Sequence, residues 1–193
     1  MFSWVSFLTY AVITAITPGP NNIMSMSCGT RNGFWKALPF NLGIWMGFSV
    51  VAGLCTVFCA VLTDYIPKLE LPMKLLGALY LLYLAWGTFH GGGKLETQKR
   101  YDGLLAGFLL QFINPKIYLY CIMSVEAFIL PYFAGETAIL LGFSLLLAFI
   151  GFCSTLCWSA FGAVFQKLLE SHSKIVNSVL ALLLVYCAVS LFL

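Results

Sequence analysis

Thr17, Pro18, Gly19, Pro20, Asn21 and Asn22 follow one another inside an apolar stretch, and Gln111, Asn114, Pro115 and Lys116 interrupt another in the second half of the chain. Pro18 and Pro20 lack amide donors and Gly19 relaxes the backbone between them, so a continuous helix through 17–21 is not expected. The spacing predicts a helix that stops and restarts. Asn21 and Asn22 would then open a half-helix, where side-chain amides that both donate and accept lie beside a positive helix end. That combination suits a carboxylate. A proline kink alone needs no ligand. Pro-x-Pro-Asn-Asn answered by Asn114-Pro115-Lys116 points instead to a polar cavity lined from both halves.

Lys116 is the most demanding of these residues, since a lysine in mid-bilayer costs about 2.5–3.5 kcal/mol on insertion scales. It needs a partner or water. If the helix instead begins near Ile117, Lys116 reaches the interface and Glu126 moves inward. Glu126 is the one plausible titrating carboxylate, and its depth is left open. The Cys55/Cys59 and Cys153/Cys157 pairs share an i, i+4 spacing that thiolate metal ligands could use, but no His or Met cluster accompanies them. All seven cysteines (28, 55, 59, 121, 153, 157 and 187) read as small buried hydrophobes. His90 and His172 fall in expected loops. No H-E-x-x-H, no aspartate within a span and no nucleophile–base pair recommends an enzyme.

The elements that must position these groups are membrane helices. Of 193 residues, 61% are hydrophobic and 9% charged, against roughly 45–50% and about 25% in soluble domains. Apolar runs at about 4–28, 38–63, 72–89, 103–125, 137–162 and 175–193 predict an all-α membrane protein of six transmembrane helices in a single domain. The N-terminus lacks the basic region of a cleaved signal and reads as a retained first helix. The net charge of +3 is too small and dispersed for a nucleic-acid partner.

Arg31, Lys36, Lys94, Lys99, Arg100, Lys167 and Lys174 lie on the first, third and fifth connections. The second has Lys68 and Lys74 balanced by Asp64 and Glu70, and the fourth only Glu126 and Glu136. This bias puts the basic loops in the cytoplasm and both termini outside. Three spans per half make the halves inverted repeats, about 1–90 and 103–193, with broken first and fourth helices, a recurrent plan of secondary transporters. Trp4, Trp35, Tyr65, Trp86, Tyr101 and Tyr132 sit near helix ends as interfacial anchors, while Trp45 and Trp158 lie inside spans and read as packing.

Thr17-Pro-Gly-Pro-Asn-Asn22, Asn114-Pro-Lys116 and six spans in this length resemble the LysE/RhtB family of bacterial amino-acid exporters. The stretches Leu110 to Asn114, Cys157-Trp-Ser-Ala160 and Leu180 to Val189 are similar to its branch that exports cysteine and O-acetylserine. The resemblance implies an inner-membrane secondary transporter, without organic cofactor, that exports small amino acids; the few anionic groups near the breaks fit neutral ones, and no metal is expected. Its binding residues would be Thr17 to Asn22, Gln111 and Asn114 to Lys116. Homoserine or threonine export is an alternative, and a passive channel a more distant one. Proton coupling and homo-oligomer formation are both compatible with it.

Overall fold

The computed structural model describes residues 2–62, 103–166 and 172–190, with helical positions at 75, 78, 79, 82, 83, 85, 86 and 89. The expected span at 72–89 is therefore described only in part. The 63–74 connection, the 90–102 segment with its glycines, His90 and basic residues, and Lys167 lie outside the described residues.

Among the described residues every regular element is helical. Helix α1 (Trp4–Ile16) starts at the N-cap Ser3, whose hydroxyl accepts the Ser6 amide at 3.4 Å. It ends at Thr17, whose ψ of 145° is the extended conformation that a following proline imposes. Helix α2 (Pro20–Asn32) restarts after an extended Gly19, with proline at its first position, where the missing donor costs nothing. Gly33, at φ 77°, turns the chain into α3 (Phe34–Leu62).

The second half opens the same way. Helix α4 (Leu104–Ile113) stops at Asn114, again extended before a proline, and α5 (Pro115–Ser124) restarts at once. A π-turn over Val125–Ile129 carries α5 into α6 (Leu130–Phe133). Pro131 cannot donate to the carbonyl of residue 127, and the Leu130 amide bonds Val125 instead, one residue beyond the α pattern. The expected boundary at 125 is thus corrected: the helical path runs to Phe133, because the π-turn absorbs the proline. Gly135, at φ 86°, leads to α7 (Thr137–Val164), and α8 (Ser173–Ser190) follows.

Phe34–Cys59, Pro115–Phe133 and Thr137–Val164 are long and apolar enough to cross a bilayer, while Trp4–Ile16 and Leu104–Ile113 are shorter apolar helices. Many of their large side chains, such as Val5, Leu54, Leu105 and Phe149, face outward, as lipid-facing residues do. The interior is closed by glycines. Gly29 of α2 abuts the Ser159 backbone of α7, Gly43 and Gly107 bring α3 and α4 together, and Gly162 abuts Met26. A Cβ at any of these would collide with a neighbouring backbone, so small residues fix the helix separations. Helix α3 also packs on α5 and α7, and α1 on α7.

The cysteine expectation needs correction. Cys28, Cys55, Cys59 and Cys121 are buried, but Cys153 and Cys157 are exposed. They lie on the side of α7 opposite its buried stripe of Ser144, Ala148, Gly151, Thr155 and Ser159. Cys187 lies outside the described side chains. Among the described residues no group of three His, Cys, Asp or Glu could hold a metal ion.

Candidate functional site

The two helix breaks face each other. The Asn21 side chain crosses from α2 to α4, donating from Nδ2 to Gln111 Oε1 at 2.8 Å and accepting from Gln111 Nε2 at 3.2 Å. Asn114 Nδ2 donates to the same Asn21 oxygen at 2.9 Å. Gln111 also donates to the Gly107 carbonyl, and Asn114 Oδ1 caps α5 by accepting the Lys116 amide. Gln111 and Asn114 are almost fully buried, where amides must find partners, and here three side chains from both halves serve one another.

Asn22 faces the other way. Its Nδ2 donates to the carbonyls of Ala15 and Thr17, both at 2.8 Å, so it closes the end of α1 rather than pairing with Asn21. Helix α7 helps. Ser154 donates to Ala15 O at 2.9 Å, and the Trp158 indole donates to Ile16 O at 3.1 Å. The carbonyls that α1 leaves unsatisfied on stopping in mid-fold are thus taken up by other elements.

Lys116 completes the arrangement. Its Nζ donates to Thr17 O at 2.8 Å and to Thr17 Oγ1 at 3.0 Å, setting the ammonium at the negative end of α1. Gly19 makes the room, since a Cβ there would stand 2.8 Å from Lys116 Cδ. Glu126 lies in the π-turn, away from the cavity.

A cavity of about 30 Å³ opens between these groups, space for roughly two waters. Gly19, Asn21, Asn22, Asn114 and Lys116 line it, together with Phe48, Tyr120, Gly151 and Thr155. Thr17, Gln111, Pro18, Pro20 and Pro115, expected at the site, are not among its lining residues; Thr17 and Gln111 hydrogen-bond the lining Lys116 and Asn21, and the prolines set the breaks. Among the described lining residues Lys116 is the one that carries charge. The α2 and α5 N-termini both end at the cavity, so its electrostatics favour an anionic group held in a largely neutral chamber.

Sequence reasoning missed Ser154, the polar role of Trp158, and the walls formed by Phe48, Tyr120, Gly151 and Thr155. Ser154 and Trp158 stand four apart on one helical face, a spacing that would place two donors together. Nothing in the sequence says which carbonyls they reach.

The family model described as LysE type translocator matches residues 12–193. The chain is 38% identical to the cysteine/O-acetylserine efflux proteins of Salmonella choleraesuis (strain SC-B67) and Escherichia coli (strain K12), over 188 residues that cover 97% of this chain and 96% of each relative. The cysteine/O-acetylserine efflux protein of Salmonella typhi is also 38% identical, with the same coverage. No solved structure matches the chain. Facing helix breaks, lipid-facing helices and a family match over nearly the whole length place this multi-pass membrane chain in the LysE type translocator family, among transporters and not enzymes.

Proposed function

We propose that the protein exports small neutral amino acids, cysteine and O-acetylserine foremost, by alternating access between two inverted three-helix repeats. The observation that carries this is the amide network of Asn21, Gln111 and Asn114, which ties the break of one half to the break of the other. The order of elements supports it: each half has a helix, a proline-marked break, a second helix and then a long helix, α3 or α7. The packing supports it too, because exchanging the halves turns the α2–α7 contact into α5–α3 and the α3–α4 contact into α7–α1, and all four exist. The substrate carboxylate would meet the α2 and α5 N-termini and displace part of the Lys116–Thr17 contact. A cationic side chain would meet Lys116 with no acidic partner in the described wall, which favours neutral zwitterions. The relatives named above are efflux proteins for two such compounds.

The setting would be a bacterial inner membrane with six spans, basic connections in the cytoplasm and both termini in the periplasm. Exchange against protons is part of the proposal. The test is uptake of labelled cysteine, O-acetylserine, homoserine and lysine into proteoliposomes, with and without a pH gradient. Saturable, gradient-dependent uptake of the first two, lost in an Asn21→Ala/Asn114→Ala variant, is the expected result. Non-saturable flux of all four would make the protein a pore, and preference for homoserine would move the substrate assignment within the family.

A further inference from the structure

Lys116 and the two helix N-termini suit the carboxylate of an amino acid, but its ammonium needs acceptors. Asn22 and Thr155 both line the cavity and are nearly fully buried. Two carbonyls at 2.8 Å fix which end of the Asn22 amide is nitrogen, so its Oδ1 can only accept. That oxygen lies 3.3 Å from Ser154 Oγ, whose single hydrogen has a shorter bond to Ala15 O at 2.9 Å. An amide oxygen has two lone pairs, so at least one is left for a further donor. Thr155 is spent in the same way. Its hydroxyl gives its hydrogen to Phe152 O at 2.8 Å, within its own helix, and its oxygen then has only lone pairs to offer. Tyr120, also in the lining, gives its hydrogen to Ala11 O at 3.3 Å. Because Ser154 and Thr155 are neighbours, Asn22 Oδ1 and Thr155 Oγ1 belong to one wall, where α2 meets α7. Buried oxygens short of donors are costly, and a ligand that brings hydrogens relieves them.

We propose that Thr155, with Asn22 beside it, forms an ammonium subsite that receives the α-amino group of the substrate. This rests on the transport reading above. An ammonium carries three hydrogens and no lone pair, so it complements oxygens that have already given their own hydrogens away. The subsite serves cysteine and O-acetylserine alike, because the two share this head and differ only beyond it. A compound without the amine would leave buried acceptors unpaired, and a site built to bond such a group discriminates against the analogue that lacks it.

The experiment is initial-rate uptake of labelled cysteine into proteoliposomes holding the parent protein, Thr155→Val or Thr155→Ser, each rate normalised to folded, monodisperse protein. Valine keeps the shape of threonine and removes the oxygen. Thr155→Val is expected to raise the KM for cysteine about tenfold, the usual worth of a hydrogen bond to a charged group. Thr155→Ser, which returns the hydroxyl, should recover most of that loss. Two competing inhibitors separate the ends of the substrate. Mercaptopropionate, which is cysteine without its amine, should inhibit parent and Thr155→Val alike. Cysteamine, which is cysteine without its carboxylate, should inhibit the valine variant about tenfold less well. Equal KM values in the valine and serine variants overturn the subsite, as does an equal loss for both inhibitors, which a merely structural role would give. Parent protein that moves no cysteine overturns the transport reading and the subsite with it. Parent protein that moves cysteine while KM ignores the missing oxygen overturns the subsite only.

Discussion

A single lysine at the junction of two broken helices depends on its neighbours for both space and partners. Gly19 has an extended backbone that any residue can adopt, so its replacement acts only through the crowding of Lys116. Gly19→Ala is expected to fold normally yet to lose most substrate uptake, which paired measurements of monodispersity and flux would check. Trp158→Phe keeps the ring but removes the donor to Ile16 O. It should destabilise the protein by about 0.5–1.5 kcal/mol, the net worth of an ordinary hydrogen bond, seen as a slightly lower melting temperature in detergent. At this scale the sequence was informative where chemistry is local. Two prolines around a glycine announce a break wherever they fall, and Asn114 before Pro115 announces the second. What the sequence could not give is the direction of each amide. Asn21 and Asn22 are chemically identical neighbours, yet one bridges to α4 and the other turns back to α1, a division made only by the helices that surround them.

Helices in this fold are spaced by glycine, and the glycines are not equivalent. Gly29, Gly43 and Gly107 each lie against a partner backbone, whereas a Cβ at Gly142 would meet nothing within 4 Å. Gly107→Leu should therefore part α3 from α4 and abolish recovery of folded protein. Gly142→Ala should be neutral or stabilising by up to about 1 kcal/mol through helix propensity; size-exclusion profiles and melting curves of the two variants separate these outcomes. The long helices were legible as apolar runs because membrane spans advertise themselves by length. Their interior faces were not, since α3 and α7 are apolar nearly all round and carry little periodicity to say which side is in. The cysteines of α7 show the consequence: spacing matched them to Cys55 and Cys59, while the fold turned them outward. The boundary expected at 125 fell short because one wider turn carries the helix past it and accommodates Pro131.

Among the described residues many large apolar side chains face outward, while the amides of Asn21, Gln111 and Asn114 meet inside at the junction of the two breaks. With both termini outside, as proposed, an alkaline phosphatase fused after Leu193 should be active in cells, and one fused after Arg31 inactive. The reverse pattern would invert the orientation drawn from the basic loops. The joined breaks also bear on how the protein is made. Of the carbonyls that end α1, those of Ala15 and Thr17 are bonded by the nearby Asn22, whereas that of Ile16 is satisfied by Trp158, which follows it by 142 residues. At the usual pace of synthesis that separation is roughly 7–28 s, during which the first helix is in the membrane with its end incomplete. Water or the insertion machinery must occupy the Ile16 carbonyl until α7 arrives. A ribosome-bound chain stalled before Ser154 should accordingly leave a cysteine placed at Thr17 open to aqueous thiol reagents, and one stalled well beyond Trp158 should shield it.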